Sequence, residues 1–141
     1  MIDIIITDGD NALFMPVFGT AVVAVRPGKI MASGKTTVNG KKVCLAGDEK
    51  KVEVPGCVYV TPQFVIPGTG TLKIAALDAS QLSKIAKDSG KYIILKGSVF
   101  TAKFEVQSPA KDLAVPPKPD PLSQYSGSGN FISTNIKVKA E

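Results

Sequence analysis

The chain has 141 residues, 44% hydrophobic and 21% charged, a balance that fits a soluble globular chain long enough to bury a core without disulfide or metal staples. It contains no histidine, which excludes Ser-His-Asp and Cys-His hydrolases, histidine-bearing zinc hydrolases and the usual imidazole metal sites. The net charge of +5 comes from scattered lysines, among them Lys41, Lys42, Lys50, Lys51, Lys84, Lys87, Lys137 and Lys139, whereas nucleic-acid binding wants basic residues on one face interleaved with stacking aromatics.

Taken in order, the chain opens with the β-branched run Ile4-Ile5-Ile6, a first strand, then a polar turn at Asp8-Gly9-Asp10-Asn11. These carboxylates mimic the start of a calcium loop, but Ala12 stands where the next ligand belongs and no glutamate closes the loop, so a plain turn is expected. Residues 12–18 are interrupted by Pro16 and suit an edge or irregular strand. The run 21–25 reads as a buried strand ended by Arg26-Pro27-Gly28. The acidic N-terminal stretch and the lack of a small-residue cleavage site imply cytoplasmic synthesis without a signal peptide, and no tract reaches the roughly 18 apolar residues of a membrane span.

Residues 33–49, SGKTTVNGKKVCLAGDE, are the best-defined stretch. Two extended runs, 36–38 and 41–45, meet at Asn39-Gly40, the strongest short hairpin signal, and Gly47-Asp48-Glu49 makes a further turn before Val52 and Val54 resume alternation. Asp48 and Glu49 are adjacent in that turn and diverge into water, which disfavours a paired-carboxylate glycosidase. Two cysteines, Cys44 and Cys57, are too few for a disulfide framework. A simple hairpin does not pair them, a bridge would need Cα atoms within about 7 Å, and buried small hydrophobes are the plain reading.

Further strands are expected at 57–61 and 64–66, with Gly68-Thr69-Gly70 making a tight bend because no Gly-Lys-Ser/Thr phosphate-loop ending follows. One short helix is predicted over 78–89: Asp78 as N-cap, Gln81 completing a capping box, Leu82, Ile85 and Ala86 on one face, and Gly90 as terminator. Residues 92–95 form a buried strand, and 98–106 alternate, with Val99, Thr101, Lys103 and Glu105 opposite Phe100, Phe104 and Val106. Residues 108–129, rich in Pro, Ser and Gly, read as an extended connector leading to a final strand over 130–139. A weak repeat counts from Gly34, Gly97 and Gly129, with Val38, Thr101 and Ser133 at the fourth position and Val43, Val106 and Val138 at the ninth. It suggests three related strand segments. The fold expected is therefore mainly β: a single domain over 1–141, shaped as a cone or barrel of many short strands with one short helix.

The order of residues from Ile30 through Gly34, Val38, Asn39, Gly40, Val43 and Gly47 to Asp48 resembles the repeat of PAAR and PAAR-like proteins. There a Gly/Ser-rich turn leads into a strand, an Asn-Gly turn returns it, and a Gly-Asp pair closes the unit, with the core motif around 30–60. The resemblance implies a non-enzymatic tip that caps a trimeric, VgrG-like β-helical spike of a contractile injection system such as type VI secretion or a phage-tail-like particle. It also implies effector proteins as further partners, transient contact with a target membrane, and delivery outside the producing cell. PAAR tips resemble one another in carrying a metal bound by histidines with a cysteine. With no histidine here, that metal does not carry over, and neither cofactor nor catalytic residue is expected. The alternative is a small β-barrel module binding nucleic acid or carbohydrate through its basic strand positions.

Overall fold

The computed structural model describes residues 3–133 and 138–140. Its strands are β1 (Asp3–Ile4), β2 (Asn11–Phe14), β3 (Val17–Phe18), β4 (Ala21–Val23), β5 (Gly28–Lys29), β6 (Thr37–Val38), β7 (Lys41–Lys42), β8 (Glu53–Val60), β9 (Gly68–Ala76), β10 (Leu82–Asp88), β11 (Lys91–Ile94), β12 (Phe100–Ser108), β13 (Gln124–Ile132) and β14 (Lys139–Ala140). The mainly β expectation holds. Eight strands form one antiparallel sheet curled into a half-barrel, in the order β3-β4-β8-β9-β12-β13-β2-β5. Three two-stranded ribbons, β1-β14, β6-β7 and β10-β11, complete the architecture among the described residues.

Two apolar cores result. The larger fills the hollow of the half-barrel with Phe14, Phe18, Tyr59, Leu72, Phe100, Phe104 and Phe131 among others, and the smaller gathers Ile5, Val38, Val43, Leu45, Ile93 and Leu95 from the ribbons and the segments that follow them. Within the hollow the rings contact in two groups: Phe14 to Phe100 at 5.5 Å and Phe100 to Phe131 at 5.1 Å in one, Tyr59 to Phe104 at 5.1 Å between centroids in the other. Edge and tilted geometries such as these are the favoured ones for aromatic pairs.

Several expectations are corrected. The helix over 78–89 is absent: Asp78 does cap a turn with Gln81 in a capping box, but that turn is a 3-10 helix of three residues, Ala79–Gln81. The chain then enters β10 and pairs with β11. The apparent helical face does not bury as one: Leu82 packs against the larger core and Ala86 against the smaller, while Ile85 is 73% exposed. Gly90 terminates no helix; with Ser89 it forms the ribbon turn, at φ 52° and 79°. The Gly47-Asp48-Glu49 turn likewise leads into a 3-10 helix, Asp48–Lys51, before β8 begins, and its carboxylates do not diverge into water: both are buried, each accepting a backbone N–H of the turn.

Gly68 and Gly70 make no bend but lie in β9, a central strand. Nor does the connector reach residue 129, because 124–132 is the central strand β13, bonded to β12 on one side and β2 on the other. The final strand expected over 130–139 is divided: 130–132 end β13, residues 134–137 lie outside the described residues, and Lys139–Ala140 pairs with β1. The glycines explain these errors. A Cβ at Gly70 would come within 2.5 Å of the Phe104 ring, at Gly127 within 2.6 Å of the Phe18 ring, and at Gly129 within 2.6 Å of the Phe100 ring and 2.3 Å of the Leu13 carbonyl oxygen. Turn-forming residues in sequence are here the spaces into which the aromatic core fits.

Replacing Gly129 by alanine should therefore lower the unfolding free energy by about 1–3 kcal/mol through overpacking, measured by chemical denaturation. The exposed Ser126→Ala control in the same strand should stay within about 0.5 kcal/mol of the parent.

Candidate functional site

Three short segments, residues 4–8, 42–46 and 92–96, meet where the ribbons join the body. Their backbones close a ring: the Ile6 N–H donates to the Ile94 carbonyl at 3.0 Å, the Ile94 N–H to the Cys44 carbonyl at 2.9 Å, and the Cys44 N–H to the Ile6 carbonyl at 3.0 Å. A second set obeys the same threefold rotation but donates the opposite way round, with Asp8 N–H to the Lys42 carbonyl at 2.8 Å, Ala46 N–H to Tyr92 at 2.9 Å and Lys96 N–H to Ile4 at 2.8 Å. The bridges Ile5 to Leu95, Thr7 to Val43 and Leu45 to Ile93 follow it as well. The result is a triangular prism of three strand segments with pseudo-threefold symmetry, each hydrogen-bonded to both others.

The side chains obey the same rotation. Ile6, Cys44 and Ile94 occupy equivalent positions and join the larger core, while Ile5, Val43 and Ile93, with Leu45 and Leu95, form the smaller one. Cys44 is thus one corner of an apolar triad whose other corners are isoleucines. Burial, and next to it the Asp48 carboxylate, push its thiol above the usual range. It and Cys57 are both buried free thiols.

Each ribbon feeds one segment. In β6-β7 the turn Asn39-Gly40 has φ 53° and 79°, nearly the values of Ser89-Gly90 in β10-β11, and both residues at positive φ mark the type I′ hairpin. In the third ribbon Asp3 pairs with Ala140 and Ile4 with Lys139. After the prism each segment turns at a glycine of positive φ, Gly9 at 82°, Gly47 at 104° and Gly97 at 53°, and enters the body.

Two of the three turns are clasped alike. The Asp48 carboxylate accepts from the Leu45 N–H at 2.8 Å, the Ser33 N–H at 2.9 Å and the Ser33 hydroxyl at 2.8 Å. Asp10 accepts from the Thr7 N–H at 2.7 Å, the Thr7 hydroxyl at 3.2 Å and the Ser133 hydroxyl at 2.6 Å. At the third corner Ser98 replaces the aspartate, the Leu95 N–H donates to the Gln81 carbonyl at 2.8 Å, and the carboxylate comes from Asp78, which accepts from the Ser80 and Ser98 hydroxyls at 2.6 and 3.2 Å. Ribbons are tied to each other too, since Asp88 Oδ2 accepts from the N–H groups of Lys35 and Thr36, both at 2.7 Å.

The motif residues read from sequence fall into this assembly. Gly34 donates its N–H to the Val43 carbonyl at 3.1 Å, and a Cβ there would lie 2.5 Å from that oxygen. Val38 and Val43 are buried in the smaller core, Asn39 and Gly40 make a ribbon turn, Gly47 makes a prism turn and Asp48 clasps it. The weak repeat counted from Gly34, Gly97 and Gly129 had the wrong copies, for Thr101 and Val106 lie in β12 of the large sheet. The three related segments are instead Ile5-Ile6-Thr7-Asp8-Gly9-Asp10, Val43-Cys44-Leu45-Ala46-Gly47-Asp48 and Ile93-Ile94-Leu95-Lys96-Gly97-Ser98. Asp8, suggestive of a calcium loop, accepts the Ala32 N–H at 2.7 Å.

A family model for the contractile injection system spike tip protein matches residues 1–141, the whole chain. The chain belongs to this spike-tip family. No curated protein matches it. The family is one of structural components, and the tip protein has the β-rich build the resemblance implied.

Three outcomes follow for the tip protein. Asp48→Asn presents an amide where three donors converge, and should cost about 2–3 kcal/mol in chemical denaturation. Bonds from the Thr36 and Lys35 amides hold the Asp88 carboxyl below the usual carboxylate range. That stabilisation is present above the unfolded pKa of about 4 and is lost as pH falls through the lowered folded value. The stability gap between parent and Asp88→Asn should therefore be full at neutral pH and close in acid. Finally, neither cysteine should react with an aromatic disulfide reagent until the protein unfolds; rapid labelling of either in the native state contradicts their placement.

Proposed function

We propose that the tip protein caps the blunt end of a trimeric β-helical spike and leads it into a target membrane. The pseudo-threefold prism and its ribbons carry this reading. A closed trimer ends in a surface with threefold rotational symmetry, and a single chain matches all three of its subunits alike only if it offers three like surfaces. Three ribbons arranged around one axis supply them. A β-helix also ends in unpaired strand edges and exposed core, and ribbon edges can continue such strands by main-chain pairing. In this arrangement Gly34, Val38, Asn39, Gly40, Val43, Gly47 and Asp48 form one of the three units that meet the spike. The tip protein is assembled on the apparatus from the cytoplasmic side and leaves the cell with it.

Mixing the tip protein with a purified trimeric spike protein from the same gene neighbourhood tests this. Native mass spectrometry should find one tip chain per three spike chains. Absence of a stable complex, or three tips per trimer, would overturn the proposal.

A further inference from the structure

The end of the half-barrel away from the prism carries a preformed apolar finger. β12 leaves the prism region at Phe100 and runs to Ser108, roughly 27 Å at strand rise, and the loop that follows returns to β13. The base of this loop is pinned. Lys111 and Ile66 exchange backbone bonds at 2.9 Å, Asp120 N–H donates to the Ala110 carbonyl at 2.8 Å, and Asp112 N–H to the Lys118 carbonyl at 3.0 Å. Below it the buried Asp120 carboxylate accepts from the Tyr59 hydroxyl at 2.8 Å and the Tyr125 hydroxyl at 2.6 Å. Burial, reinforced by the Asp120 carboxylate, pushes the Tyr59 phenol up to about 12, so both hydroxyls stay protonated donors at neutral pH.

Above this base stand Leu113, 75% exposed, and Val115, 98% exposed, followed by Pro116 and Pro117. Exposed lysines flank the tip at 111 and 118. Most of its backbone is satisfied: Pro116 and Pro117 have no N–H, the N–H groups of Ala114 and Lys118 both donate to Asp112 Oδ1, at 3.0 and 2.8 Å, and only the amides of Leu113 and Val115 are left for water or headgroups. Bare amides are what make loops costly in hydrocarbon. Bonded amides, prolines and a fixed conformation reduce both the desolvation and the ordering cost of insertion, and paired lysines suit anionic headgroups.

We propose that the finger over residues 111–118 inserts into the surface of an anionic bilayer, Leu113 and Val115 entering the acyl boundary while Lys111 and Lys118 meet the headgroups. The spike-cap reading supplies only the direction: with the prism seated on the spike, the finger is at the leading end. Lipid binding itself is tested without any spike.

The full-length protein is floated with vesicles of equal parts phosphatidylcholine and phosphatidylglycerol, and with phosphatidylcholine alone. It should associate with the anionic vesicles in preference. L113D/V115D should bind them about tenfold more weakly or worse, and K111E/K118E should lose the preference for anionic lipid. An environment-sensitive dye on V115C should shift its emission to the blue on anionic vesicles, the native cysteines being buried. All four positions are on the surface, so the variants should melt with the parent. No vesicle association by the parent, or unchanged association by L113D/V115D, overturns the inference and leaves the stoichiometry of spike capping intact as a separate question. If L113D/V115D floats like the parent but no longer forms the complex with the spike, the finger is a protein contact and the lipid assignment is wrong.

Discussion

Everything in this chain depends on closing three very short strand segments against one another. Isolated hairpins are marginal in water, and segments this short leave most of their backbone groups unpaired unless a neighbour stands on each side. The cycle from Ile6 to Ile94 to Cys44 and back to Ile6 solves that: each segment donates to one neighbour and accepts from the other, so the prism has no edge of its own. Because the ring is buried between two apolar cores, losing one member strands a buried donor and a buried acceptor together, which costs more than the bond itself is worth. The Asp10 and Asp48 clasps fix the turns by which the chain leaves the ring, and so fix where the half-barrel hangs.

That constraint gives the molecule two unlike ends. The prism and ribbons at one end repeat around an axis; the half-barrel beyond them does not, and carries its chain out to the Asp112 loop and back. Rigidity between the ends comes from a sheet whose inward glycines bring aromatic rings against neighbouring backbone, and close packing of that kind transmits load with little compliance. A component that must be pushed from behind and meet resistance in front needs both the asymmetry and the stiffness. Under the proposed function, threefold repetition suits an end that meets a trimer, and a single projecting loop suits an end that meets a target.

Much of this was legible in the residues, and what was not has physical causes. Asn39-Gly40 announced its hairpin because only a type I′ turn wants that pair, and the Asp78 to Gln81 capping box was read correctly as a local bond pattern. It does not extend into a helix: the spacing of Leu82, Ile85 and Ala86 suits one, but strand pairing with β11, in which Ser83 accepts the Ile93 N–H at 2.8 Å, decides the outcome. Gly70, Gly127 and Gly129 were read as loop residues because their role is defined by Phe104, Phe18 and Phe100, which lie elsewhere in the sequence. Tyr125, Gly127, Gly129 and Phe131 do alternate with Ser126, Ser128 and Asn130, a strand period hidden by composition. The threefold repeat lies at other residues than the count from Gly34, Gly97 and Gly129 suggests. Its copies start at 5, 43 and 93 at unequal spacing, and the third corner borrows its carboxylate from Asp78 instead of keeping one in the repeat.

On the proposed reading, the axis of the prism is the axis on which the tip protein is seated. Electron cryomicroscopy of the tip on its trimeric spike, reconstructed without imposed symmetry at the tip, measures this directly. The spike's threefold axis should pass through the centre of the ring formed by Ile6, Cys44 and Ile94, with one ribbon over each spike chain. An axis running instead through the eight-stranded sheet, or a tip attached by the Asp112 loop, would contradict the account.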